Sequence, residues 1–161
     1  MRWTRSWGKT VNDDLRKRLA FFNAELTDGR LDSRDTVGFA CDLLLAGLDT
    51  PAVRELAGES PVQQRMSETY DLARQMLVEL GVEPMTSEQA EWFLGRDAAR
   101  KVLAGEPRAE WKDRTFHITF QFSREDDDVY WALGQYDTDP EPFRAYVREY
   151  LRLAEAHLTG W

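Results

Sequence analysis

Two histidines, a single cysteine and a dense group of carboxylates have the most scope for chemistry in this 161-residue chain. Seven acidic residues, Glu125, Asp126, Asp127, Asp128, Asp137, Asp139 and Glu141, fall within residues 125–141, a stretch without lysine or arginine. Carboxylates gathered this way can hold a hard cation through oxygen ligands. The calcium-hand pattern also needs a turn glycine and a distant glutamate at fixed spacing, which the run lacks, so no metal is expected. Asp139 and Glu141 flank Pro140 and read as a helix start, while Asp126, Asp127 and Asp128 suit a solvated turn. The other use of such a run is docking. Negative potential beside Tyr130, Trp131 and Tyr136 steers a basic partner and offers it aromatic anchors. The partner-binding set is therefore Glu125, Asp126, Asp127, Asp128, Tyr130, Trp131, Tyr136 and Asp137.

The remaining reactive side chains point away from catalysis. His117 lies among Thr115, Thr119 and Gln121, where an imidazole could serve as a general base, but no motif surrounds it. His157 sits near a helix end, where the backbone dipole favours a cation. Cys41 falls within an apolar helical stretch and reads as a buried small hydrophobe, without the neighbouring histidine or helix N-terminus that activates a thiol. No GxSxG, GxxxxGK or GxGxxG occurs, so no catalytic residue and no cofactor is expected.

Charge narrows the partners. The chain carries 21 basic and 29 acidic side chains, a net of −8. Residues 1–30 hold seven basic and four acidic groups, whereas residues 106–161 hold seven and twelve. Nucleic-acid affinity comes largely from neutralised phosphates, and an acidic body opposes it. The basic group Arg16, Lys17 and Arg18 is too small to reverse that and reads as a solvated helix face. Residues 35–57 imitate a helix-turn-helix, but the would-be reading helix, residues 51–57, offers one arginine against one glutamate. One cysteine excludes an intrachain disulfide, and the absence of a long apolar stretch leads us to expect a cytoplasmic protein with no membrane partner.

The elements that must position these residues are mostly helical. Asn12 caps an apolar series at Leu15, Leu19, Phe22 and Leu26 that stops at Gly29. A second helix starts near Ser33 and presents Val37, Ala40, Cys41, Leu44 and Leu45. Thr50-Pro51 opens a short third helix ending near Gly58, and Ser60-Pro61 with Gln63 opens a fourth through Val62, Met66, Tyr70, Ala73, Leu77 and Leu80. Thr86 and Gln89 open a fifth through Ala90, Phe93, Leu94, Ala98, Val102 and Leu103. Three Leu-Ala-Gly tripeptides, ending at Gly47, Gly58 and Gly105, have no common spacing and read as left-handed glycines behind helix ends. Phe116, Ile118, Phe120 and Phe122 alternate with polar residues, and beyond a polar turn Val129, Trp131 and Leu133 alternate with Tyr130, Ala132 and Gly134, which predicts an antiparallel hairpin. A final helix presents Phe143, Tyr146, Val147, Tyr150, Leu151, Ala154 and Leu158 to cover it, and residues 2–7 are a candidate third strand.

The expected fold is thus α+β and predominantly α-helical, a single domain over residues 1–161. It has five to six helices and one antiparallel β-hairpin near residues 114–136, followed by the C-terminal helix. The helical part covers about 12–105, and the hairpin with the terminal helix about 114–160.

Gly47-Leu48-Asp49-Thr50-Pro51, then Arg54-Glu55-Leu56-Ala57-Gly58 and the later Leu77-Val78-Glu79-Leu80-Gly81, resemble a segment of a group of small uncharacterised bacterial helical proteins. The likeness spans roughly residues 35–106, including Ala104-Gly105-Glu106 at its end, and its motifs are capping and packing signals. It implies a helical fold and, by analogy of size and acidity, a toxin-immunity or accessory role. No catalytic residue carries over. The leading expectation is a non-enzymatic interaction protein that binds a basic partner through the acidic-aromatic surface. The alternative is a small hydrolase or ligand-binding protein with a pocket between the helical part and the hairpin, using His117 and a carboxylate. Homodimerisation through the hairpin edge or terminal helix is a third reading.

Overall fold

In the computed structural model, residues 13–59, 66–119 and 138–158 are described. They form seven α-helices: α1 (Asp13–Asp28), α2 (Ser33–Leu45), α3 (Pro51–Gly58), α4 (Met66–Glu79), α5 (Ser87–Leu103), α6 (Trp111–Thr119) and α7 (Pro140–His157). The chain divides into two compact units at Thr86 and Ser87.

The first unit packs α2 on α3, α3 on α4, and α1 on α4. Leu15, Leu19, Phe22 and Leu26 of α1 are all buried, as their helical spacing requires. They meet Leu43 of α2, Val53 and Leu56 of α3, and Ala73, Met76 and Leu77 of α4 in one core.

Capping fixes the ends of these helices. Asp32 is the N-cap of α2 and accepts from the backbone N–H groups of Arg34 (2.8 Å) and Asp35 (3.2 Å). Pro51 takes the first position of α3, Thr50 Oγ1 accepts from Val53 N at 3.3 Å, and Glu79 Oε2 reaches from α4 to accept from Ala52 N at 2.8 Å. Two donors that the helix cannot satisfy internally are thereby paired, one of them by a residue 27 positions away. Behind α2, Gly47 adopts φ 81°, and Leu48 N donates back to Leu43 O at 2.9 Å. A side chain there would be strained, so this glycine is a left-handed cap as expected. Gly58 differs: it is the last residue of α3, and it is not among the glycines with positive φ.

The buried face of α2 differs from its expected stripe. Thr36, Phe39, Ala40 and Leu43 are buried, whereas Leu45 is 87% exposed and Cys41 is exposed. The segment is apolar on nearly every side, so period alone does not choose the inward face. The ring contact of Phe39 with Phe22, 5.0 Å between centroids, helps to fix it.

The second unit packs α5 against α7 and α6 against α5. Here the expected hairpin is overturned. Residues 111–119 form α6, entered through a 3₁₀ turn at Arg108–Glu110, and no strand occurs among the described residues. Phe116 and Ile118 show why. On a strand they share a face; on a helix they point roughly 200° apart. Ile118 is 0% exposed and Phe116 is 51% exposed. Trp111, seven residues before Ile118, is also fully buried, which supplies the helical period that a four-residue alternation cannot contradict. Arg114 and Trp111 then hold the turn: the guanidinium is bidentate on Glu106 (2.8 and 3.0 Å), and the indole Nε1 donates to Glu106 O at 3.0 Å. The rest of the expected hairpin, the candidate strand at residues 2–7, the Asn12 cap and the Ser60-Pro61 start lie outside the described residues.

Candidate interaction surface

The acidic run starts beyond α6 and ends in the first turn of α7, and both helices are firmly seated. Trp111 and Ile118 of α6 and Phe143 and Val147 of α7 are fully buried. The Trp111 and Phe143 rings meet at 5.2 Å, and the Arg144 guanidinium lies 5.5 Å over Trp111.

At the α7 end the local chemistry follows the sequence closely. Asp139 is the N-cap, accepting from Glu141 N at 3.2 Å, with Pro140 at the first helical position. Glu141 lies 3.2 Å from Arg144 and 3.7 Å from Arg148, one turn and two turns along the helix. These two members of the seven are therefore engaged, one by the backbone and one by arginines. Glu125, Asp126, Asp127, Asp128, Tyr130, Trp131, Tyr136 and Asp137 lie outside the described residues.

The other candidate side chains are placed plainly. His117 is half-buried on α6 rather than on a strand, and its ring meets Phe116 edge-on at 5.8 Å. The hairpin wall that the hydrolase or ligand-pocket reading required is, over residues 114–119, this helix. His157 ends α7 and lies flat on Trp92, with ring centroids 4.5 Å apart and planes at 10°; Trp92 also stacks on Tyr150 at 5.4 Å. Both imidazoles thus take part in aromatic packing. Cys41 is exposed rather than buried, and its thiol lies 3.8 Å from Ala57 O. Among the described residues, no three His, Cys, Asp or Glu side chains gather as a metal would require.

Two of the three basic residues on α1 pair with the protein's own acids. Arg16 lies 3.6 Å from Asp13, and Arg18 lies 2.6 Å from Asp42 and over the Phe39 ring. Arg54 of the would-be reading helix lies 3.3 Å from Asp49. Surface pairs of this kind add little stability, but they offset charge that a phosphate backbone would need.

Three carboxylates in these arrangements are held below their ordinary range. The backbone N–H of Ala52 does this for Glu79, and the Arg114 guanidinium for Glu106. The Arg152 side chain does the same for Glu149 on the outer face of α7. Burial pushes the Tyr150 hydroxyl well above its usual value.

Sequence reasoning missed the Glu106–Arg114 clamp because its partners are eight residues apart across a turn, a spacing that carries no local signal. It also missed Gly95, although an isolated glycine inside a helical pattern asks for a packing explanation. No helix among the described residues is long and apolar enough to cross a membrane. The chain matches no protein-family model, no curated protein and no solved structure.

Proposed function

We propose that this protein is a cytoplasmic binding module without catalytic chemistry of its own, which takes a basic protein partner in the manner of an immunity or accessory protein. The observation that carries the reading is the run of seven carboxylates over residues 125–141 without a lysine or arginine, interleaved with Tyr130, Trp131 and Tyr136. Such a run concentrates negative potential, raises the rate of encounter with a cation-rich surface, and supplies amphipathic rings to anchor the complex. Because Asp139 caps α7 and Glu141 faces two arginines, the partner-facing charge is assigned to Glu125, Asp126, Asp127, Asp128 and Asp137. The seating of α6 and α7 by buried aromatic side chains supports a fixed frame on either side of that run.

The test uses the full chain, tagged and exposed to lysate of its native host at low salt, against the triple variant Asp126→Lys, Asp127→Lys, Asp128→Lys. Wild type should retain one basic chain in stoichiometric amount, with an association rate that falls steeply as salt rises. The variant should associate more slowly and with a flattened salt dependence. Equal rates and equal salt dependence for the two would remove the acidic run from the interface. A melting temperature that EDTA lowers, or that a metabolite panel raises, would favour the ligand-binding reading instead.

A further inference from the structure

We draw no further inference here: the strongest candidate, the exposed apolar side chains Leu45 at the end of α2 and Val78 near the end of α4, carries nothing because nothing in the structure shows what covers them.

Discussion

Tyr150 of α7 lays its hydroxyl so close to the backbone of Gly95 on α5 that a methyl group at position 95 would sit 1.8 Å from it. The same methyl would lie 2.7 Å from the tyrosine Cζ and 3.0 Å from the carbonyl oxygen of His117 on α6. One missing side chain therefore allows three helices of the second unit to meet, and the tyrosine that fills the space is 1% exposed.

Gly95→Ala is expected to destabilise the protein even though alanine favours a helix interior by about 1 kcal/mol. Forcing extra volume into a closed contact costs about 1–3 kcal/mol and displaces a buried ring that has little room to turn. Tyr150→Phe removes the nearest atom, so the double variant should lose less than the sum of the two single losses. A double-mutant cycle by urea unfolding checks this. Strictly additive losses would show that the two positions are not in contact.

Asn23, fully buried on α1, joins that helix to the connecting segment ahead of α5. Its Nδ2 donates to Glu83 O at 2.9 Å, and its Oδ1 accepts from Met85 N at 3.2 Å. Asn23→Ala leaves both backbone groups without this partner and should cost about 1–3 kcal/mol. Asn23→Asp should cost more at neutral pH, since it sets a buried carboxylate against a carbonyl oxygen. Urea midpoints give the ranking, and faster amide exchange at Met85 in the alanine variant locates the effect.

Helix α6 can be tested against the strand reading with two substitutions. Ile118→Ala should cost about 2–5 kcal/mol, as buried aliphatic truncations do. Phe116→Ser should cost clearly less, about 1 kcal/mol, because half of that ring is already solvated. A strand with both side chains on its covered face would show two large and comparable losses.

Stability should fall on both sides of neutrality, for opposite reasons. Glu79 and Glu106 bind protons less readily in the fold than in the unfolded chain, so the unfolded state takes up more protons as acid is added. Their contribution is fully present above the ordinary glutamate value of about 4.3 and is lost as pH falls through the lower folded values. Glu79→Gln with Glu106→Gln should flatten this acid limb in thermal melts taken across it. Tyr150 holds its proton more tightly when folded, so its contribution is present below about pH 10 and is lost as pH rises beyond it. Tyr150→Phe should flatten the alkaline limb and leave the acid one unchanged.

The sequence by itself determined where six of the helices run and how several of them end. Thr50-Pro51, Asp139-Pro140, Gly47 and Gly105 are local devices whose geometry follows from residue type, and they act as expected. The inward stripes of α1 and α7 were equally legible, because Leu15, Leu19, Phe22 and Leu26, like Phe143, Val147, Tyr150 and Ala154, recur at one unambiguous period. The cap role of Asp139 was legible too, whereas the residues expected to bind a partner, Glu125 to Asp137, lie outside the described residues. Only the tertiary structure decided the rest. Phe116 and Ile118 alternate too briefly to exclude either period, and the choice of a helix rests with Trp111 and with the clamp of Arg114 on Glu106. α2 is apolar almost all round, so its neighbours selected Phe39 and Leu43 and left Leu45 and Cys41 outside. Local pattern fixes a backbone wherever one conformation satisfies it. Where two do, partners distant in sequence make the choice, because burial and hydrogen bonding reward only the arrangement that the whole unit can pack.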